Sequence, residues 1–153
     1  MGQVEQRLAK LGIVLPAPNA PVANYVPFVQ AGTFLFVSGQ ISKGPSGVVK
    51  GKLGATLTLE ERVAAARLCA INIITQLNAA LGGDLDRVKR IVKLGGFVNC
   101  VPEFEDQPKV VNGASDLMVA VFGDAGKHAR AAVGAPSLPM GAAVEIDAIV
   151  EIV

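Results

Sequence analysis

The stretch HARAAVGAPSLPMGAAVEIDAIVEIV, residues 128–153, decides how the rest of the chain is interpreted. Two β-prone segments flank a turn that contains Pro136, Pro139 and Gly141. The second segment alternates strictly: one phase is Val144, Ile146, Ala148, Val150 and Ile152, and the other is Glu145, Asp147, Ile149 and Glu151. This alternation predicts a strand with one buried face, and the whole stretch predicts a closing β-hairpin.

The charged residues of this hairpin have two alternative interpretations. If the turn is centred near Leu138, Arg130 lies opposite Asp147 and diagonal to Glu145, on the face that is not core. One cation beside two carboxylates is either a site for a small anionic substrate or a charge-balanced surface. The pattern alone favours the surface.

Length and composition predict one domain over residues 1–153, with residues 1–15 as an N-terminal helical extension. Hydrophobic residues make up 51% of the chain and charged residues only 18%, which leaves apolar surface for an oligomer interface. Fourteen basic residues face thirteen acidic ones, without a long basic run. This balance disfavours nucleic-acid binding.

Cysteine, histidine and hydropathy patterns point away from redox, metal and membrane functions. Cys69 and Cys100 stand singly, so we interpret both as reduced structural residues. One histidine, His128, gives no basis for a metal site, and we interpret it as a surface residue at a strand start. No apolar run approaches the roughly 20 residues of a membrane span, and the N-terminus is amphipathic. The expectation is a cytoplasmic protein without a cofactor.

Three helices are predicted: one ending at Gly12, one from a capping box at Thr58 to about Leu81, and one over roughly 107–122. The second helix carries an apolar stripe that should be core: Leu59, Val63, Ala66, Ala70, Ile74, Leu77 and Leu81.

The predicted strands are a hairpin over 26–30 and 33–38, a long strand over 88–99 in which Gly95-Gly96 suggests a bulge, and the closing hairpin. This order of elements predicts an α+β domain in which the helices cover one face of a mixed sheet.

Four segments carry a resemblance to a known family: VSGQI at 37–41, VVNGASDLM at 110–118, HARAAVG at 128–134 and LPMGAAVEIDAI at 138–149. The chain from about Pro16 to its C-terminus resembles the Rid family, also called YjgF or endoribonuclease L-PSP. The closing pattern R-x-x-V … L-P-x-x-x-x-V-E-I-[DE]-A is the most specific part. The N-terminal helix and the long glycine loop resemble a longer-chain subgroup rather than the archetypal RidA.

The resemblance implies a chorismate-mutase-like α+β fold and a homotrimer with clefts at the subunit interfaces. A ring of three would bury the sheet face that the helices leave uncovered. Active members of the family hydrolyse imines and enamines derived from amino acids, such as 2-aminoacrylate, to 2-keto acids and ammonia.

Arg130 and Glu145 match the two principal site residues of the family. Arg130 corresponds to the arginine that holds the substrate carboxylate, and a planar guanidinium suits that role because it donates two parallel hydrogen bonds. The alternative for Arg130 is a surface ion pair with Asp147 or Glu145. Glu145 corresponds to the glutamate that positions or activates water, and its alternative is a solvated strand carboxylate. The other residues matched to the family's cleft are Tyr25, Ser38, Gly39 and Asn112.

The chain departs from the family pattern after the arginine. Ala131 and Ala132 stand where the deaminase branch commonly has Ser-Cys, and Gly134 stands where many members have glutamate. The pocket is therefore expected to be roomier and more apolar than in the archetype.

Three functions follow from these observations. The first is a cytoplasmic deaminase for amino-acid-derived imines, and the second is a trimer that binds a carboxylate metabolite without converting it. The third is the ribonuclease or translation inhibitor of the family's historical label, which a single histidine and near-neutral charge disfavour.

Overall fold

The computed structural model describes residues 1–18 and 24–153. Over this part of the chain the strands are β1 (Phe28–Ala31), β2 (Phe34–Ile41), β3 (Lys43–Gly44), β4 (Gly47–Val48), β5 (Val88–Asn99), β6 (Ala129–Ala135) and β7 (Val144–Ile152). The helices are α1 (Gln3–Lys10), α2 (Leu59–Ala80) and α3 (Gln107–Phe122). Short 3-10 turns occur at Leu85–Arg87, Gly123–Gly126 and Pro139–Gly141.

Five of these strands form a mixed sheet in the order β1-β2-β7-β5-β6, while β3 and β4 pair separately. The pair β5 and β6 is parallel, and the other neighbours are antiparallel. Helices α2 and α3 pack on one face of the sheet. The predicted α+β class and its one-sided helix layer are therefore confirmed.

Helix α2 begins where the capping box predicts. The Thr58 side chain accepts a hydrogen bond from the Glu61 backbone N–H at 3.2 Å, and the Glu61 carboxylate accepts one from the Thr58 N–H at 3.0 Å. At the other end Gly82 has φ 61°, a left-handed conformation that stops the helix. The predicted core stripe is wrong at Leu59, which is 41% exposed, because α2 first becomes buried at Arg62.

Helix α2 is also an exception to the expectation that no stretch could span a membrane. It has 22 residues, and an 18-residue stretch within it has a mean hydropathy of 1.3, so by length and composition alone it could cross a membrane. Half of that window is buried inside the fold, as it is in a core helix of a globular domain.

Helix α1 packs against the helix layer through its two buried residues, Val4 and Leu8. Asp86 caps it from a distant part of the chain, since its carboxylate accepts hydrogen bonds from the backbone N–H groups of Gln3 and Val4, both at 2.9 Å. These two hydrogen bonds lower the pKa of Asp86. The helix ends at Lys10, just before Gly12 with φ 68°, as predicted.

A glycine allows α2 and α3 to approach each other closely. A Cβ on Gly113 would lie 2.1 Å from the Val63 carbonyl oxygen of α2, so a larger residue would force the two helices apart. Because Asn112 directly precedes Gly113, this contact also determines where Asn112 lies over the sheet.

The predicted closing hairpin is wrong, because β5 lies between β6 and β7. In the observed register Leu94 of β5 pairs with Arg130 on one side and with Ala148 on the other. The connection over 136–143 is long enough to cross the width of one strand, about 5 Å. It is guided by backbone hydrogen bonds from Ala143 to Val49 and from Asn99 to Ala143.

The bulge expected at Gly95-Gly96 is also absent from β5, whose register shifts lie between Val88 and Arg90 and between Ile91 and Lys93. Both glycines pair regularly with β6 and β7. Their role is instead close approach, because a Cβ on Gly96 would lie 2.7 Å from a Val111 methyl of α3.

The face of the sheet opposite the helices, here called the open face, carries large exposed apolar side chains: Val29, Phe34, Phe36, Phe97 and Val133. This is the surplus apolar surface that the composition predicts, and neighbouring exposed apolar side chains of this kind are typical of protein interaction surfaces.

Candidate active site

Five of the six residues assigned by the resemblance form two clusters on opposite faces of the sheet. The bulge cluster, on the open face, is Ser38, Gly39 and Glu145. The arginine cluster, on the helix face, is Arg130 and Asn112 together with Ser115 and His128.

The bulge cluster is built on an irregularity in β2. Val37 pairs with Ala148 and Gln40 with Ile146, so two residues, Ser38 and Gly39, oppose the single residue between them on β7. The Ser38 hydroxyl donates a hydrogen bond to the Val26 carbonyl at 2.7 Å, and the Ser38 N–H donates to the Pro27 carbonyl at 2.9 Å. These two bonds hold the bulge against the chain that precedes β1.

Two carboxylates of β7 each lie directly on a glycine. A Cβ on Gly39 would be 2.2 Å from Glu145 Oε1, and a Cβ on Gly95 would be 2.4 Å from Asp147 Oδ1. Neither glycine has a positive φ, so close approach rather than backbone conformation explains them. The absence of side chains at these two positions lets both carboxylates lie flat on the open face.

Burial raises the pKa of Glu145, and the neighbouring negative charge of Asp147 raises it further. Burial also raises the pKa of Asp147, although a hydrogen bond from the Gly95 backbone and the charge of Lys93 oppose that rise. A raised pKa makes the ionised glutamate a stronger base than an ordinary carboxylate, which suits a group that accepts and returns a proton.

A groove of about 450 Å³ lies on the open face, and of the two carboxylates Asp147 lines it. Its lining includes Ser38, Gly39, Gly95, Phe97, Ala131 and Asp147. The groove thus combines apolar walls with one carboxylate, Asp147, and one lysine, Lys93. Ala131, the first residue of the departure after the arginine, leaves it wider than a polar side chain would.

The arginine cluster lies where α3 covers the edge strand β6. Arg130 Nη1 donates hydrogen bonds to Asn112 Oδ1 at 2.7 Å and to Ser115 Oγ at 3.2 Å. Both acceptors are neutral, and among residues 1–18 and 24–153 no carboxylate forms a salt bridge with Arg130. The guanidinium is therefore oriented but keeps its charge for another partner.

His128 extends this network and is half-buried rather than a surface residue. Its Nδ1 lies 2.6 Å from the Gly126 carbonyl, which can only accept, so Nδ1 carries the proton. In the neutral ring Nε2 then accepts a hydrogen bond from the Ser115 hydroxyl at 2.9 Å. The Ser115 oxygen is thereby left to accept from Arg130, so that His128 fixes the direction of the chain of hydrogen bonds.

The alternative interpretation of Arg130, a surface ion pair with Asp147 or Glu145, is wrong, because neither pair forms. Arg130 pairs with the buried Leu94, which places it on the helix face, whereas Glu145 pairs with the exposed Phe97. The clusters are also separated by the width of β5. The prediction failed because it assumed that β6 and β7 are neighbours.

Tyr25 belongs to neither cluster. Its side chain is 61% exposed, and its hydroxyl has no hydrogen bond with any residue that the structure describes. It lies one residue before Val26, the acceptor of the Ser38 hydroxyl, so the chain brings it near the bulge, although it forms no hydrogen bond with Glu145.

The sequence interpretation missed the roles of Ser115 and His128. The sequence did contain a signal for this network, because His128, the only histidine, stands two positions before the motif residue Arg130. Ser115 lies on the same side of α3 as Asn112, three residues on, as helical spacing predicts.

Within the described part of the chain no three His, Cys, Asp or Glu side chains come together as a metal site.

A family model and a related protein both match nearly the whole chain. A family model described as "YjgF/chorismate_mutase-like, putative endoribonuclease" matches residues 5–152. Protein TCP17 of Trypanosoma cruzi is 56% identical over 153 residues, which cover 99% of this chain and 95% of that protein.

Two solved structures are similar along nearly their full lengths. Atu1372 from Agrobacterium tumefaciens, a protein of unknown function, is 50% identical with a TM-score of 0.91, and the match covers 99% of this chain and 94% of that chain. A "putative endoribonuclease" from Shewanella oneidensis is 36% identical with a TM-score of 0.93, and the match covers 99% of this chain and 100% of that chain.

Proposed function

This chain belongs to the YjgF/chorismate mutase-like family, also called the Rid family, and we propose that it hydrolyses amino-acid-derived 2-imino acids to 2-keto acids and ammonia. The observation that carries the proposal is Arg130, a guanidinium that two neutral acceptors orient and that no described carboxylate neutralises. Such a group suits a substrate with a carboxylate beside the reacting carbon.

The separation of the two clusters bears on the quaternary structure of the site. Arg130 and Glu145 lie on opposite faces of the sheet and on strands two positions apart, a separation of about 10 Å across the sheet. In a 2-imino acid the carboxylate and the C=N carbon are directly bonded. One substrate therefore needs Arg130 of one subunit and Glu145 of another.

A homotrimer would supply this arrangement, and the apolar open face supports it. A closed ring of three makes one head-to-tail contact three times, which brings different surfaces of neighbouring subunits together. Phe36, Phe97 and Val133 would be covered in that contact, and the groove lined by Gly39 and Asp147 would become a cleft. The site would then be incomplete in an isolated chain.

In the proposed reaction Arg130 binds the substrate carboxylate through two hydrogen bonds and fixes the C=N carbon. Ionised Glu145 takes a proton from water as the oxygen attacks the C=N carbon of the protonated imine, which forms a neutral carbinolamine. Protonated Glu145 then returns this proton to the nitrogen. As the C–N bond breaks and ammonia leaves, the hydroxyl oxygen forms the C=O bond of the keto acid, and its proton passes through Glu145 to the ammonia, so that ammonium is released and Glu145 is ionised again. An enamine such as 2-aminoacrylate enters this sequence after tautomerising to its imine.

The test is to generate 2-aminoacrylate in situ from serine with a dehydratase, and other imines with an amino-acid oxidase. The loss of imine is followed by the decline of its semicarbazide adduct. The wild type should accelerate hydrolysis, and Arg130→Ala should lose about 100-fold or more in kcat/KM. Arg67→Ala, at an exposed position on α2, is the matched control and should keep full activity. No acceleration with any imine would refute the proposal.

A second candidate is a trimer that binds a carboxylate metabolite without converting it, and the alanines after Arg130 favour it. Ala131 lines the groove, while Ala132 packs against the core on the side of Arg130, so neither supplies a polar or nucleophilic group to the site. In a thermal-shift screen against 2-keto acids and amino acids, this candidate predicts stabilisation that Arg130→Ala abolishes, without any product.

Ribonuclease activity has less support from the geometry. His128, the single histidine, has both ring nitrogens engaged, with Ser115 and with the Gly126 carbonyl. A general base must have a free lone pair within reach of the proton that it removes. Salt-sensitive RNA cleavage that Glu145→Gln abolishes would favour this function over deamination.

A further inference from the structure

A second cavity, of about 490 Å³, lies on the helix side of β2. Its wall is formed by the chain after α1, the end of β2, the strand β3 and the adjacent side of α2. Most of the wall is apolar, with Leu15, Leu68 and Ile71 among its residues. A cavity of this size is in the range of small-molecule sites.

The wall contains a buried amide that folding does not explain. Gln76 is 2% exposed, and its Oε1 has no hydrogen-bond partner in the described part of the chain. An amide oxygen that leaves water without a new donor destabilises the fold, and a leucine at this position would avoid that cost. A buried polar atom of this kind therefore calls for a partner from outside the chain.

Three neighbouring polar side chains of the wall donate hydrogen bonds to backbone carbonyls of the protein. Thr75 donates to a backbone carbonyl of its own helix at 2.9 Å, and Asn72 donates to the Ile41 and Lys43 carbonyls at 3.1 and 3.0 Å. Gln40 donates to the Ser38 carbonyl at 3.0 Å. The unpaired oxygen of Gln76 is thus a specific feature of this cavity and not a general property of its polar residues.

We propose that this cavity binds a small aliphatic molecule that carries an N–H donor of the carboxamide type. The aliphatic part occupies the apolar wall formed by Leu15, Leu68 and Ile71, and the N–H donates to Gln76 Oε1. This site is distinct from the arginine and bulge clusters, and its occupation does not depend on imine hydrolysis.

Binding in the cavity can be followed by NMR because the cavity borders Gln40, a residue bonded to the bulge. Gln40 lines the cavity and holds the Ser38 carbonyl, and Ser38 belongs to the bulge whose other side faces Glu145. A ligand in the cavity therefore contacts the residue that supports the bulge from behind. Its binding should shift the backbone amide signals of Gln40 and Ser38 in addition to those of Gln76.

The experiment is an NMR titration of the full chain with isovaleramide and, separately, with methyl isobutyl ketone. The two probes have the same shape, but the ketone has a methyl group in place of the NH₂ group. We expect the amide to bind about tenfold more tightly than the ketone, because the ketone leaves Gln76 Oε1 unpaired. The shifts should concentrate on the cavity wall.

The matched variants are Gln76→Leu, which removes the acceptor, and Gln6→Leu, which removes an amide from the exposed side of helix α1. Gln76→Leu should abolish the preference for the amide while its melting temperature is maintained or raised, and Gln6→Leu should keep the preference. Equal binding of the two probes, no shifts at the wall up to the solubility limit, or a preference that survives Gln76→Leu would each overturn the proposal.

Discussion

Replacing Gly39 by alanine should lower kcat for imine hydrolysis about 100-fold while the fold is retained. The backbone of Gly39 is outside the left-handed region, so alanine is sterically allowed there. Its Cβ would lie 2.2 Å from Glu145 Oε1, and the carboxylate would have to withdraw by about 1.2 Å to reach the ordinary contact distance of 3.4 Å. A misplacement of about 1 Å in a reacting group can cost about 100-fold in rate.

The assay compares kcat of Gly39→Ala, Glu145→Gln and the double variant on the same imine. If alanine acts by displacing Glu145, the double variant should lose no more activity than Glu145→Gln alone, because both changes remove one interaction. Gly95→Ala is the matched control, since its Cβ would lie 2.4 Å from Asp147 Oδ1 and would displace the neighbouring carboxylate instead. Its kcat should stay within a few-fold of the wild type.

Two results would refute this reasoning. One is a double variant whose loss is the product of the two single losses, and the other is a Gly95→Ala loss as large as that of Gly39→Ala. Sedimentation velocity is measured on the four variants and the wild type, because a variant that changed the assembly would have an altered sedimentation coefficient.

Three further predictions concern the arginine cluster, the helix layer and the acidic pair. Ser115→Ala should raise KM for the imine about tenfold with little change in kcat, because it removes one neutral acceptor of the Arg130 guanidinium; Ser115→Thr should restore KM in steady-state kinetics. Gly113→Ala should lower stability by about 3 kcal/mol, roughly 10 °C in a thermal melt, because its Cβ would collide with an α2 carbonyl at 2.1 Å. Activity should fall on acidification as Glu145 becomes protonated, at a higher pH than for an ordinary glutamate because its pKa is raised, and Asp147→Asn should move that limb of the pH–rate profile to lower pH.

Features that depend on near neighbours in the chain could be predicted from the sequence. The capping box at Thr58, the bounds of the third helix and the alternation of β7 match the structure because each rests on residues a few positions apart. The family motifs likewise identified Arg130, Asn112 and Glu145, whose roles remain predictions.

The arrangement of these residues in space could not be predicted in the same way. The alternation in β7 distinguishes its two faces but contains no information about which strand lies beside it, so a hairpin with β6 was assumed where β5 intervenes. Strand β6 is mostly alanine and glycine, and such small residues give no clear phase from which to place Arg130 on a face.

The sequence by itself determined the fold class, the extents of the helices and the chemistry of the charged residues, because local hydrogen bonding and side-chain periodicity decide them. Only the tertiary structure decided that Arg130 and Glu145 of the closing stretch lie on opposite faces, and that Ser115 and His128 orient the arginine. These relations depend on strand pairing and on the packing of α3 over β6, which join residues that are distant in the chain.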